Sequence, residues 1–387
     1  MENNCPKEYV HYHAGGRPGS RPILTGKDAK PTFEEIPKID MSPIFSESLE
    51  ERKKVAAQVG KACKEVGFFY AVNHGVSEET IQGAFRAVEN WFSQPEEVKL
   101  ETNINQNKHF RGYEPLLSTQ LDPNTRGDLK EAYMIGEDPY DPESRCPDDV
   151  KEKIMKKHPD LIPRNQWPKI PTPANQALRP AVYGYYKEMV DFARALLRTF
   201  ALALDMPENH FDSIATFPKC NMRSLHYPSQ EFATDVGIGA HTDYSCFTLV
   251  CQSTSCPSGL QVLNANGIWV NAPPVERTFV CNVGDFFQEA TAGRFLSTVH
   301  RVVNKTGSER YSIPFFFAPN MDAEMAVVES CREPGKEYQP LQVGAYFKKR
   351  IAAARSKHPD GTTPEKTRAE DDGKLILETV KQVAAVA

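Results

Sequence analysis

The stretch Gly239-Ala240-His241-Thr242-Asp243-Tyr244 carries an imidazole and a carboxylate two residues apart. On a β-strand, residues i and i+2 point to the same face, so His241 and Asp243 can reach one metal ion together. His300, farther along the chain, is a candidate third ligand. Two imidazoles and one carboxylate that leave coordination positions open form the facial triad typical of non-haem Fe(II) oxygenases. The spacing therefore predicts a mononuclear iron site at a strand end.

A second motif, Arg310-Tyr311-Ser312, follows His300 and predicts a binding site for an organic acid. Arg310 and Ser312 share one face of a strand. A guanidinium can bind a carboxylate through two hydrogen bonds, and the hydroxyl adds another. A lone His-x-Asp pair is usually an ordinary surface pair, so the iron prediction depends on the co-occurrence of all these residues.

Composition limits the classes of partner. The chain has 387 residues, a net charge of −5 and no sustained run of Lys or Arg, so a nucleic-acid partner is not expected. No stretch approaches the ~20 apolar residues of a membrane span, and the N-terminus lacks the apolar core of a secretory signal. Nine cysteines without such a signal predict reduced thiols and a cytoplasmic location. The sequence gives no indication of the oligomeric state.

Changes in composition and apolar periodicity along the sequence predict four regions. These are a polar N-terminal arm (1–32), an N-terminal region (33–175), a long helix with a β-rich core (176–333, core about 215–320) and C-terminal helices (334–387). The arm is rich in Gly, Pro and Arg, and is expected to be mobile and able to pack across the body.

Apolar positions at helical spacing predict the helices. Ser48 and Ser77 are expected N-caps, because a serine oxygen accepts from free amides of the first turn. The predicted helices cover residues 46–66, 77–92, 178–204, 343–353 and 370–386. Residues 139–173 show no lasting periodicity and are expected to form a long surface connection.

From residue 221 to about 318 the chain consists of short β-like runs separated by turn residues. The expected strands are 247–252, 259–263, 269–271, 278–283, 298–303 and 312–317. Strands at such spacing predict an all-β barrel or sandwich. The predicted fold class is therefore mainly β with flanking helices, and the β-core holds the suspected site.

Taken together, the motifs resemble those of the isopenicillin N synthase-like group of iron- and 2-oxoglutarate-dependent dioxygenases, over roughly residues 33–350. The matching pieces are Ile36-Pro37-Lys38-Ile39-Asp40, Gly67-Phe68-Phe69-Tyr70-Ala71-Val72-Asn73-His74-Gly75, Arg111-Gly112-Tyr113, Asp128-Leu129-Lys130-Glu131, Asn165-Gln166-Trp167-Pro168, His241-Thr242-Asp243, Gly259-Leu260-Gln261-Val262, Asn282-Val283-Gly284-Asp285, His300-Arg301-Val302 and Arg310-Tyr311-Ser312. Their order along the chain makes the resemblance specific.

The resemblance implies a double-stranded β-helix, or jelly roll, with Fe(II) held by His241, Asp243 and His300. It also implies that Arg310 and Ser312 bind the distal carboxylate of 2-oxoglutarate and that Tyr227 helps to hold it. The chain departs from plant members, which commonly carry Asn at the position of Leu225. Some members carry Arg at the position of His226. One auxiliary contact to the oxo-acid therefore differs.

The implied reaction uses O2 and 2-oxoglutarate to hydroxylate, desaturate or cyclise a small molecule, and members of this kind often serve secondary metabolism. Candidate substrate residues are Arg111, Tyr113, Phe247 and Phe317. A structural role is the alternative for each of them, and for the aromatic residues that alternative is a place in the core. Three alternatives stay open at this point: an oxidase of the isopenicillin N synthase type that needs no 2-oxoglutarate, an ethylene-forming type of enzyme that acts on 2-oxoglutarate itself, and a catalytically silent binding protein on the same fold.

Other residue patterns give weaker evidence for a zinc site, a hydrolase or a phosphate site. Cys246, Cys251 and Cys256 recur every five residues, but the paired spacing of zinc sites is absent, so buried core cysteines are expected. The chain has no Gly-x-Ser-x-Gly elbow, which argues against a serine hydrolase. Gly15-Gly16 lies in the polar arm without a strand–helix context, so phosphate binding has little support.

Overall fold

The computed structural model describes residues 8–14, 17–106, 109–119, 127–157, 164–230, 236–304 and 306–354. The helices are α1 (Leu49–Glu65), α2 (Glu78–Phe92), α3 (Glu96–Lys99), α4 (Asp148–Lys157), α5 (Pro173–Ala203), α6 (Asp285–Ala290) and α7 (Val343–Ala354). The strands are β1 (Tyr9–Ala14), β2 (Arg17–Pro22), β3 (Lys38–Asp40), β4 (Phe68–Val72), β5 (Gly112–Glu114), β6 (Glu131–Gly136), β7 (Lys219–Tyr227), β8 (Ile238–His241), β9 (Phe247–Gln252), β10 (Leu260–Leu263), β11 (Trp269–Asn271), β12 (Thr278–Val283), β13 (His300–Val302), β14 (Arg310–Ala318), β15 (Glu324–Met325) and β16 (Leu341–Gln342).

The core strands alternate between two sheets. The major sheet has the order β3-β4-β12-β9-β14-β7-β6-β5, and the minor sheet has the order β11-β10-β13-β8-β1-β2. Apart from the consecutive pair β10 and β11, each strand from β8 to β14 lies in the sheet opposite to the strand before it. This connectivity is that of a double-stranded β-helix, so the predicted mainly β jelly-roll fold is confirmed.

Strand alternation gives the major sheet two different faces. On β9, Phe247, Leu249 and Cys251 belong to the cluster that packs against the helices. Val250, between them, packs in the second cluster, to which both sheets contribute. The space between the sheets is therefore the interior of the jelly roll, and its polar residues form the site described below.

Helix α5 covers the outer face of the major sheet and starts five residues earlier than the sequence predicts. Thr172 caps it, because its Oγ1 accepts from the amide of Asn175 at 3.1 Å, and Pro173 takes the first helical position. Pro180 lies inside the helix. The predicted helix 178–204 also contains Pro180, so the difference is confined to the first turns, which follow the Thr172 cap.

The connection 139–173 is not wholly irregular, which corrects the sequence-based prediction. It contains α4, whose first turn carries Asp148 and Asp149. Asp149 pairs with Lys153 one turn later, at 3.4 Å. Acidic residues at the N-terminal end and an i, i+4 pair favour a helix even where apolar residues are scarce.

The N-terminal arm forms ordered structure where it is described. Strands β1 and β2 form an antiparallel hairpin, and β1 pairs in parallel with β8 at His13 and His241. The amide of Thr242 donates to the carbonyl oxygen of His13 at 3.1 Å. The expectation of a mobile arm is therefore wrong for this hairpin, because it extends the minor sheet beside the strand that carries His241.

At the other end, α7 matches the helix predicted over 343–353. The polar linker and the helix predicted over 370–386 lie outside the described residues. Within the described part of the chain, no helix combines the length and apolarity needed to cross a membrane. The four-region division of the sequence stays a prediction.

Candidate metal centre

The three predicted ligands meet at one end of the interior. His241 ends β8, Asp243 follows two residues later, and His300 begins β13, which pairs with β8 so that the two histidines lie opposite each other. Oδ1 of Asp243 lies 3.7 Å from Nε2 of His241 and 3.8 Å from Nε2 of His300. One ligand atom from each residue lies within 4.8 Å of the others.

Each histidine is oriented by a carbonyl oxygen two residues before it. Nδ1 of His241 lies 2.8 Å from the oxygen of Gly239, and Nδ1 of His300 lies 3.2 Å from that of Thr298. A backbone acceptor at Nδ1 selects the tautomer that carries its proton there. Nε2 of both rings is then left with a lone pair aimed at the centre of the triangle.

The carboxylate of Asp243 is also fixed by two hydrogen bonds to one of its oxygens. Its Oδ2 accepts from Oγ1 of Thr248 at 2.5 Å and from Nδ2 of Asn282 at 2.7 Å. Oδ1 is therefore the oxygen that faces the histidines. Thr248 lies on β9 and Asn282 on β12, so the major sheet positions a ligand that follows a strand of the minor sheet.

Burial and mutual charge set the protonation states. Burial lowers the pKa of His300 to about 4, and the neighbouring His241 contributes to the same shift. Burial alone raises the pKa of Asp243, but His300, His241 and the amide of Asn282 hold it well below its ordinary value. At neutral pH the site therefore offers a neutral His300 and an ionised Asp243, which are the forms that bind a metal.

The donor set fits ferrous iron. Two imidazole nitrogens and one carboxylate oxygen on a single side leave the remaining positions of an octahedral ion open. Among the described residues, His241, Asp243 and His300 are the one group of His, Cys, Asp or Glu side chains with ligand atoms clustered in this way. The nearby cysteines take no part, since Cys246 and Cys251 lie in the helix-facing core.

A buried cation lies farther along the same interior face. Nη2 of Arg310 donates to Oε1 of Gln252 at 2.8 Å, and Nη1 lies 3.3 Å from Oγ of Ser312. The guanidinium lies 4.7 Å from the ring centre of Tyr227, which is opposite Arg310 in the β14–β7 register. Arg310, Ser312 and Tyr227, predicted as one anchor, are thus brought together.

Arg310 is only 2% exposed. Of the carboxylates that the structure describes, none lies within ion-pair distance of its guanidinium. A buried charge is costly unless it is paired. An anionic ligand would balance the charge of Arg310, and a carboxylate can accept two parallel hydrogen bonds from a guanidinium.

The comparisons with known proteins agree with this geometry. Residues 36–170 match the N-terminal model of non-haem dioxygenases in morphine synthesis, and residues 218–319 match the 2OG-Fe(II) oxygenase superfamily. The chain is 35% identical to the 2-oxoglutarate-Fe(II) type oxidoreductase ppzC of Metarhizium majus, over 87% of this chain and 92% of the relative. The chain belongs to the 2OG-Fe(II) oxygenase superfamily.

Two other similarities fall in the same superfamily. The 2-oxoglutarate-Fe(II) type oxidoreductase hxnY of Emericella nidulans is 36% identical over 80% of this chain and 89% of its own. A full-length Neurospora crassa protein crystallised with α-ketoglutarate and 5-formyluracil superposes with a TM-score of 0.68, at 26% identity, over 82% of this chain and 96% of that chain. The chain is an Fe(II)- and 2-oxoglutarate-dependent oxidoreductase that uses O2, as its family does.

Two of the predicted substrate residues of this dioxygenase lie in the core instead. Phe247 and Phe317 are fully buried, and their rings stack 4.9 Å apart. Phe247 also packs 5.1 Å from the ring of Phe200 on α5. They face the helices, not the interior, because they lie on the opposite side of their strands from Thr248 and Ser312. This position agrees with the core role that was the alternative for both residues.

The other two substrate candidates lie in buried polar networks. Tyr113 packs in the helix-facing core, and its hydroxyl donates to Glu131 at 2.7 Å, which agrees with the structural alternative. Arg111 is 1% exposed; its guanidinium donates to the carbonyl oxygen of Ile135 at 3.1 Å and pairs with Glu137 at 3.2 Å. Its charge is matched by Glu137, whereas its Nε has no partner among the described residues.

The two positions where the dioxygenase departs from plant members have different surroundings. Leu225 lies in the interior apolar cluster, beside Ser312 in the β14–β7 register. His226 points the other way, where Nδ1 lies 2.7 Å from Oε1 of Glu131 and the ring stacks 4.7 Å from Tyr311. His226 therefore cannot take the place of an interior arginine, and Leu225 offers no hydrogen bond to the oxo-acid.

The exposed part of the interior face of the major sheet was not predicted. Val250, Phe316 and Arg223 are partly exposed on strands β9, β14 and β7, whose other residues are buried. Phe316 lies opposite Thr248, the residue that holds Asp243. Arg223 pairs with Glu114, and its Nε has no partner among the described residues. These three side chains are thus the partly exposed positions of β7, β9 and β14 on the interior face of the major sheet.

Proposed function

We propose that this dioxygenase oxidises a small molecule at an Fe(II) ion held by His241, Asp243 and His300. The observation that carries the proposal is the combination of a largely buried, pre-oriented ligand triangle with a buried, unmatched guanidinium on the same interior face. Fe(II), when bound, activates O2, and 2-oxoglutarate supplies electrons and leaves as succinate and carbon dioxide. The residues of the chain bind, orient and shield these reactants from water.

Arg310 and Ser312 are proposed to bind the distal carboxylate of 2-oxoglutarate. Gln252 fixes Nη2 of the guanidinium, and the ring of Tyr227 covers its face. The co-substrate would replace the missing counter-charge of Arg310 and would orient its keto-acid end toward the iron ligands. Leu225 would contact it only through apolar atoms.

The substrate is proposed to lie against the partly exposed residues Val250, Phe316 and Arg223 of the interior face. Phe316 offers a flat apolar surface beside the metal ligands, and Arg223 with Glu114 offers a polar edge. We infer a small molecule with a planar or unsaturated part against Phe316 and a hydrogen-bonding group near Arg223. The structural relative crystallised with 5-formyluracil supports a substrate of this size. A role in secondary metabolism belongs to the same proposal.

The coupling of co-substrate use to product formation tests this function. With the true substrate, O2 consumption and succinate release should rise in step with product, in hydroxylation, desaturation or cyclisation alike. Oxygen consumption that continues without 2-oxoglutarate would contradict the proposal and favour an oxidase. Release of ethylene from 2-oxoglutarate alone would favour the ethylene-forming alternative. His241→Ala should abolish both iron binding and turnover.

A cytoplasmic location also remains a proposal. The described cysteines are all free thiols, and most of them are buried. Unpaired thiols are typical of a reducing compartment, which supports the sequence-based expectation. Fractionation of cells that express the full chain, with immunodetection, would test it.

A further inference from the structure

Thr242, between two of the proposed iron ligands, is held through its side chain. Its Oγ1 donates to Oδ2 of Asp285 at 3.0 Å. The amide of Asp285 donates to the carbonyl oxygen of Asp243 at 2.7 Å. Asp285 is the first residue of α6. It therefore fixes the segment 241–244, here called the ligand turn, through the side chain of Thr242 and the backbone of Asp243.

The same carboxylate also holds the segment that leads to the third ligand. Oδ1 of Asp285 accepts from Oγ of Ser297 at 2.7 Å, three residues before His300. Asp285 is 6% exposed, so its charge is largely removed from water. One buried carboxylate thus ties together the two chain segments that carry the ligand triangle, and it needs a counter-charge.

The C-terminal helix supplies that charge. Nη2 of Arg350 on α7 lies 2.9 Å from Oδ2 of Asp285, and the side chain of Arg350 is 13% exposed. Its guanidinium lies 5.7 Å from the ring centre of Tyr244, which directly follows Asp243. Phe347, one turn before Arg350, packs edge-on against the same ring at 5.8 Å. Helix α7 therefore touches the ligand turn both directly and through Asp285.

We propose that Arg350 is a positioning residue for the iron site, and that the C-terminal helix sets the geometry of the ligand turn through Asp285 and Thr242. This inference rests on the proposed function, since it takes His241, Asp243 and His300 as the iron ligands. Residues that orient metal ligands through hydrogen bonds typically change metal affinity by about 10–100-fold when they are removed. The contacts from Arg350 through Asp285 to Thr242 are here called the relay. We expect its loss to change iron affinity by an amount in that range.

Iron affinity in the full chain tests the relay. Fe(II) is titrated anaerobically into apoprotein, with and without 2-oxoglutarate, for wild type, Arg350→Met, Arg350→Lys and the control Lys348→Met, an exposed residue of the same helix. The melting temperature of each apoprotein is measured in parallel. Arg350→Met should weaken Fe(II) binding by about tenfold, Arg350→Lys should recover part of the loss, and Lys348→Met should match wild type.

A double-mutant cycle separates positioning from simple stability. In the Asp285→Asn background, Arg350→Met should cause little further loss of iron affinity, because the relay is already broken. Wild-type iron affinity in Arg350→Met, or equal losses in both backgrounds, would overturn the inference. Wild-type iron affinity in His241→Ala would overturn the ligand assignment itself, which distinguishes the two failures.

Discussion

The hydroxyl of Thr248 lies 2.5 Å from Oδ2 of Asp243, the carboxylate oxygen that faces away from the two histidines. Asn282 reaches the same oxygen from the neighbouring strand at 2.7 Å. Asp243 follows a strand of the minor sheet, whereas both of these partners belong to the major sheet. The ligand triangle is therefore assembled by the closure of one sheet on the other.

Thr248→Val should weaken Fe(II) binding by about tenfold, because Asp243 loses one of the two donors that orient its carboxylate. Anaerobic iron titration of the apoprotein measures the change. Thr278→Val is a matched control, since Thr278 is also buried and hydrogen-bonded but bonds the carbonyl oxygen of Val275. An equal loss of iron affinity in both variants would contradict an orienting role for Thr248.

Arg310→Met should raise the 2-oxoglutarate concentration needed for half-saturation by on the order of 100-fold, because removing one side of a buried charge pair costs about 2–5 kcal/mol. Iron affinity without 2-oxoglutarate should stay unchanged. Arg301→Met serves as control, because Arg301 lies 4.0 Å from the ring centre of Trp269 and bonds Gln261 on the neighbouring strand. An unaltered 2-oxoglutarate requirement in Arg310→Met would refute the anchor.

Gly259→Ala should weaken 2-oxoglutarate binding without touching the iron ligands. A methyl group at Gly259 would lie 2.8 Å from Cδ and Nε of Arg310, closer than a carbon atom can approach. Gln252 and Ser312 hold the guanidinium in place. We expect a loss of about tenfold, or 1.4 kcal/mol, by equilibrium titration. Gly184→Ala, which meets nothing within 4 Å, should bind 2-oxoglutarate like wild type.

Glu289 should make stability depend on pH. Burial, with the neighbouring Asp285, raises the pKa of Glu289 from 4.5 to about 7. The folded chain therefore binds this proton more tightly than the unfolded chain. The resulting stability is fully present below about pH 4.5 and is lost as the pH rises through about 7.

Glu289→Gln removes this titration. Relative to wild type, the variant should gain on the order of 1–3 kcal/mol between pH 5 and pH 8. Chemical denaturation at several pH values measures the difference. The exposed Glu276→Gln serves as control and should show a nearly constant difference from wild type. A pH-independent difference for Glu289→Gln would show that the Glu289 carboxyl is not protonated in the folded chain.

Local patterns in the sequence predicted much of the fold. Ser48 and Ser77 cap α1 and α2 as expected, because capping depends on residues within one turn. Strands β9, β11 and β12 have the predicted bounds, since turn residues flank them. His241 and Asp243 were found through their short spacing together with the co-occurrence of His300, Arg310 and Ser312 farther along the chain.

Features that depend on pairing between distant segments were missed. Thr248, Asn282 and Gln252 reach the site only through the register of β9, β12 and β14, which the sequence does not reveal. The face of Phe247 likewise follows from the register, because the side of a strand reverses with a shift of one residue. The pairing of the N-terminal hairpin with β8 is likewise a contact between remote segments.

The central claim is that His241, Asp243 and His300 bind Fe(II), to which 2-oxoglutarate anchored by Arg310 coordinates directly. Anaerobic addition of Fe(II) and 2-oxoglutarate to the apoprotein, followed by visible absorption, tests it in one measurement. The wild type should develop a charge-transfer band that saturates at one Fe(II) per chain. His300→Ala should lack the band, and Arg310→Met should need far more 2-oxoglutarate to reach it. An unchanged band in His300→Ala, or no band in wild type saturated with both reactants, would contradict the claim.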